Sequence, residues 1–96
     1  MNYFLNSNEL EHNKYMSIIV GIKLEQRNEN SKLFQKILTK YGCDISTRIG
    51  FHENNNNSCE NFGIILLNFI GSEKNLLNLS KELIKINDLK LKIMRI

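Results

Sequence analysis

Four stretches of this sequence carry apolar residues at every second position, and two others carry them at intervals of three and four. A period of two puts alternate side chains on opposite faces of a strand, whereas the longer spacing draws an apolar stripe along a helix. The order along the chain is strand, helix, strand, strand, helix, strand. Few arrangements accept that order, because each apolar face must find another to cover it. Residues 16–24 place Met16, Ile18, Val20, Ile22 and Leu24 on one face, and Ser17, Ile19, Gly21 and Lys23 on the other. A polar turn follows over 26–30, where Asn30 or Ser31 is expected to cap the next helix with a side-chain oxygen. Leu33, Phe34, Ile37, Leu38 and Tyr41 then form a helical stripe. Gly42 stands where a helix end accepts left-handed backbone.

The alternation resumes over 43–52, with Ile45, Thr47, Ile49 and Phe51 expected on one face and Asp44, Ser46, Arg48 and Gly50 on the other. Residues 53–61 include four consecutive asparagines and read as a hairpin loop. Residues 62–70 are apolar on both faces apart from Gly63 and Asn68, the pattern of a strand buried on both sides. Gly71 ends that strand and Ser72 is placed to cap the second helix. Leu76, Leu79, Leu83 and Ile86 form its stripe, flanked by Leu77 and Ile84. Asn87 and Asp88 make the exit turn, and residues 89–94 alternate once more.

This order predicts an α+β fold of the ferredoxin-like βαββαβ kind: a four-stranded antiparallel sheet with two helices on one face. The first and third strands should be central, and they are the most apolar. The second and fourth should lie at the edges, where Asp44 and Arg48, or Lys90, Lys92 and Arg95, discourage stray pairing. At 96 residues the chain has room for one core. Residues 1–14 read as a polar tail and 15–96 as the domain.

Two helices on one face leave the other face open. Whichever register the third strand adopts, that face receives either Phe62, Ile64, Leu66 and Ile70, or Ile65, Leu67 and Phe69, together with Ile19. Apolar patches of this size mark interfaces. Burying about 400 Å² per subunit is worth roughly 10 kcal/mol before association costs. The sequence therefore predicts a homodimer or homotetramer built through the open sheet face. The competing arrangement folds the amino-terminal tail, with Tyr3, Phe4 and Leu5, back over the patch.

The net charge of +3 is spread over every segment and interleaved with acids, unlike the clustered basic stripe of a nucleic-acid binder. No direct nucleic-acid partner is expected. No leader pattern opens the sequence and no apolar run is long enough to span a bilayer, so a cytoplasmic protein is expected. Cys43 and Cys59 form neither a disulfide framework nor a metal motif and read as free thiols. With His12 and His52 they supply metal-ligand types at irregular spacing, so no metal site is assigned; only symmetric assembly would bring copies of His52 together. No spacing pairs a cysteine with a histidine as a nucleophile set, and no glycine-rich loop opens a helix as a phosphate cradle. Acylphosphatases and RNA-recognition domains share the topology, but neither the arginine-bearing loop of the first nor the basic and glycine pattern of the second is present. The chain is not expected to be an enzyme, and no cofactor is indicated.

What remains is Arg48-Ile49-Gly50. Arg48 is a fork-shaped donor for carboxylates, and Gly50 lets a ligand or a neighbouring chain approach the backbone. Both are candidate ligand-binding residues; the plainer reading is an edge charge and a strand bend. The run Asp44-Ile45-Ser46-Thr47-Arg48-Ile49-Gly50, then Gly63-Ile64-Ile65-Leu66-Leu67 and the closing residues 89–94, resembles the iron-only hydrogenase system regulators. These are short bacterial proteins with an ACT-like, ferredoxin-like fold related to the ligand-binding domain of the nickel-responsive regulator. The resemblance covers residues 15–96. It implies a small oligomeric module sensing a metabolite or metal, and its arginine-glycine strand end matches Arg48 and Gly50. It carries over no catalytic residue. The alternative is a structural or protein-interaction module with no small-molecule ligand.

Overall fold

The computed structural model describes residues 17–25, 28–52 and 62–96. Its elements are β1 (Ile18–Glu25), α1 (Asn28–Lys40), a 3-10 turn (Gly42–Asp44), β2 (Ile45–His52), β3 (Phe62–Phe69), α2 (Glu73–Leu83) and β4 (Leu89–Arg95). The strands form one antiparallel sheet in the order β2-β3-β1-β4. The fold is the ferredoxin-like α+β arrangement, with the two apolar strands central and the two charged ones at the edges. The tail expected over 1–14 and the asparagine loop lie outside the described residues.

Register explains the core. β1 pairs Val20 with Leu67 and Ile22 with Ile65 on one side, and Val20 with Ile93 and Ile22 with Leu91 on the other. The face bearing Val20, Ile22, Leu24, Ile65, Leu67 and Phe69 is therefore continuous across the central strands, and all of these residues are buried. Phe34, Ile37 and Leu38 of α1 press onto it with Tyr41 just past that helix, as do Leu76, Leu79 and Leu83 of α2. No polar side chain is buried among the described residues. Ser72 caps α2 as expected, its hydroxyl accepting from the Asn75 amide at 3.1 Å.

Four local expectations are corrected. Helix α1 begins at Asn28, so Asn30 and Ser31 lie within its first turns and do not cap it. The Asn30 amide instead donates to the Asn87 carbonyl at 3.1 Å, tying α1 to the turn before β4. Gly42 is not left-handed; it opens the 3-10 turn, and among the described residues the one with positive φ is Asp88, at 62°. Cys43 and Asp44 belong to that turn, not to β2. The Asp44 carboxylate accepts from Asn75 Nδ2 at 3.1 Å and its carbonyl from the Ile70 amide at 2.7 Å, so it fastens α2 to the sheet. Ile70 lies just past β3 and is exposed.

The fourth correction matters most. Ile45 pairs with Phe69, but the next pair is Thr47 with Asn68, and the register shifts between them. Ser46 is thus the extra residue of a β-bulge, which turns the strand over. Its hydroxyl accepts from Asn68 Nδ2 at 2.7 Å, on the sheet face away from the helices. Ile45 packs toward the core, whereas Thr47, Ile49 and Phe51 lie on the open face opposite Asn68, Leu66 and Ile64. Ile45 and Ile49 do not share a face. Arg48 and Gly50 now point to the helix side, opposite the buried Leu67 and Ile65.

Candidate functional site

The bulge creates a groove. Beyond Ser46, the helix side of β2 offers Arg48 and Gly50 where an ordinary core strand would offer apolar side chains. Arg48 reaches across to α1, but no apolar side chain of β2 beyond Ile45 packs beneath that helix. The result is a cleft of about 150 Å³ between α1 and β2, walled by Ser31, Phe34, Gln35, Arg48, Gly50 and Ile65 among others. A shallower cleft of about 240 Å³ continues toward the 3-10 turn, past Leu38, Thr39 and Gly42. Gln35 and Arg48 belong to both and stand between them.

Arg48 is held at this divide. Its Nη1 donates to Gln35 Oε1 at 2.8 Å, and its guanidinium lies 5.7 Å from the centre of the Phe34 ring. The ring's negative face favours a cation there. At Gly50 the backbone is bare: a Cβ built on it would meet no atom within 4 Å. The structure thus brings Arg48 and Gly50 to one groove. It adds Ser31, Phe34 and Gln35, which the sequence did not mark as site residues: Ser31 was read as a helix cap. Phe34 was legible only as core, and Gln35 carried no signal. An unbroken alternation from Ile45 to Phe51 conceals the bulge that makes the groove.

The other polar contacts are fasteners. At the far end of α1, Glu82 of α2 accepts from the Tyr41 hydroxyl and from Lys40 Nζ, at 3.1 and 3.2 Å for the lysine. The hydrogen bond from Tyr41, then that from Lys40, hold the Glu82 carboxyl below its usual range. The same bond raises the Tyr41 phenol. Arg95 of β4 binds Glu73 in the first turn of α2 at 3.0 Å, and lowers its carboxyl. Among the described residues no three of histidine, cysteine, aspartate or glutamate cluster to hold a metal. Cys43 is an exposed free thiol before β2, and His52 ends that strand, so its length separates them. His12 and Cys59 lie outside the described residues. No helix among them is long and apolar enough to cross a membrane.

These features define a ferredoxin-like α+β fold with a half-open groove between one helix and an outer strand. No protein-family model matches the chain, and no curated protein does. Among solved structures it is similar to an uncharacterized protein from Thermotoga maritima, at 24% identity and a TM-score of 0.74, over 83% of this chain and 95% of that one. It is also similar to prephenate dehydratase from Streptococcus mutans, at 15% identity and a TM-score of 0.57, over 81% of this chain and 40% of that one. Both likenesses are likenesses of fold.

Proposed function

We propose that this protein is a small ligand-sensing regulatory module, self-associating through its open sheet face and taking a small molecule in the groove beside Arg48 and Gly50. The observation that carries the reading is the groove itself. Where β2 could have presented apolar side chains to α1 it presents Arg48 and Gly50, and a cleft of about 150 Å³ remains between them. A cationic fork hangs over the gap, and a bare stretch of backbone lines it. Grooves with a few convergent polar groups on apolar walls are how folds hold small ligands. The ACT-like fold supports the same reading, as does the resemblance to the iron-only hydrogenase system regulators. On that resemblance we place the module in the bacterial cytoplasm, acting on hydrogenase-related metabolism through another protein.

The test is a thermal-shift panel of amino acids, organic acids and divalent transition metals on the whole chain. A ligand at a hundredfold excess over its Kd should raise the melting temperature on the order of 10 °C. The rise should saturate and should vanish in Arg48→Gln. A flat response across the panel overturns the reading in favour of a protein-interaction module. The second reading has its own observation, the apolar open face, on which Ile49 and Phe51 are each 49% exposed.

A further inference from the structure

We propose that the groove selects a small carboxylate with an apolar, ring-sized body and no cationic group. The assignment rests on the sensing function proposed above and narrows its ligand.

Charge decides the first part. Among the described residues lining the two clefts, Arg48 is the one charged side chain; the polar remainder, Ser31, Gln35 and Thr39, is neutral. Lys32 and Lys36 are exposed on the same helix and add positive potential. An anion therefore finds a partner here. An ammonium finds no carboxylate among these described residues, and the cation already present repels it. A zwitterionic amino acid would leave half of its charge unmatched.

The state of Arg48 decides the second part. One of its five donors is occupied by the neutral Gln35 amide oxygen at 2.8 Å. Exchanging that acceptor for a carboxylate replaces a bond to a neutral group by a charge-assisted one, and the planar fork offers two parallel donors to it. The ligand displaces Gln35, and the side chain that divides the two clefts moves aside.

Shape decides the third. The deeper cleft, about 150 Å³, has the Phe34 ring and Ile65 among its walls. A cavity of that volume holds roughly one benzene ring. Open space above Gly50 admits the short link between ring and carboxylate.

The experiment uses three probes that share a phenyl ring and a short chain: 3-phenylpropionate, phenylalanine and phenethylamine. Each is titrated into the ¹⁵N-labelled chain while amide shifts are followed. With 3-phenylpropionate, saturable shifts are expected at Ser31, Gln35, Arg48 and Gly50. Phenylalanine should bind at least about tenfold more weakly, phenethylamine should leave those amides unmoved, and Arg48→Gln should lose about tenfold or more in affinity. Amides of Val20 and Leu79 report that the variant keeps its fold. Binding by phenylalanine equal to that of the acid, affinity unchanged in Arg48→Gln, or no shift at the groove with 3-phenylpropionate each overturn the assignment. If the thermal panel yields a different stabilising compound whose shifts map to the groove, only the ligand class falls. If neither experiment yields a binder, the sensing function falls with it.

Discussion

Gly50 and Gly71 are the same residue in opposite surroundings, and substitution by alanine should separate them in sign. A Cβ at Gly71 would stand 2.5 to 2.7 Å from the Asp44 side chain, including its Cβ, which cannot swing away. Asp44 would have to yield, and with it the bond from Asn75 and the one from the Ile70 amide. Gly71→Ala should therefore destabilise the chain by about 1–3 kcal/mol, read from denaturant midpoints. At Gly50 an added methyl meets nothing within 4 Å, and the backbone is not left-handed. Gly50→Ala should stabilise by about 0.4–1 kcal/mol, through a less free unfolded chain. The same methyl projects into the groove, so a ligand bound there should lose affinity while stability rises. A stabilised variant with unchanged ligand response would place the ligand away from Gly50.

The helices are joined through one carboxylate, and this sets a pH dependence at the level of elements. Glu82 of α2 accepts from the Lys40 ammonium at the carboxyl end of α1 and from the hydroxyl of Tyr41 just beyond it. Its pKa is lowered on folding, chiefly by the Tyr41 hydrogen bond, and that of Glu73 is lowered by Arg95. A carboxyl lowered in the folded state stabilises the fold above its unfolded pKa, and that contribution is lost as pH falls through the folded one. The Tyr41 pKa is raised by the same bond, so its contribution is complete below the unfolded phenol value and lost as pH rises through the folded one. Stability should therefore form a plateau, falling below roughly pH 4 and again above about pH 10. Both carboxylates are partly exposed, so the acid slope should be shallow and should flatten with salt. Thermal melts across pH check this. Glu82→Gln should soften both limbs, and an unchanged alkaline limb would show that Tyr41 titrates without Glu82.

The whole molecule has a covered face and an open one. On the open face Ile49 lies opposite Leu66, Phe51 opposite Ile64 and Ile19 opposite Met94, while Lys23, Lys90 and Lys92 gather toward one corner. Met94 is 55% exposed and Ile49 and Phe51 are each 49% exposed. The proposed assembly through this face predicts that light scattering gives a mass of two or four chains at micromolar concentration. Phe51→Glu combined with Ile49→Lys should reduce it to one chain without changing the circular dichroism. A wild-type mass of one chain overturns the assembly.

Element order, strand positions in the sheet and the helix stripes follow from the sequence alone, because period and burial are properties that neighbouring residues express together. Val20 and Leu79 could be placed in the core from spacing, and Ser72 as a cap from its chemistry, whereas Leu67 could not, because both faces of its strand are apolar and only the packed sheet turns it inward. Arg48 and Gly50 could be marked as unusual. Their meeting with Phe34 and Gln35 could not, because it depends on a one-residue shift between Ile45 and Thr47. A bulge leaves no trace in an alternating pattern; it is decided by which carbonyls and amides pair across strands, and only the packed sheet specifies that. The same holds for Asp44, whose role at Asn75 and Gly71 arises from two segments far apart in the chain brought into contact. Local chemistry determined what each segment became, and long-range pairing decided which side chains were left to face an empty groove.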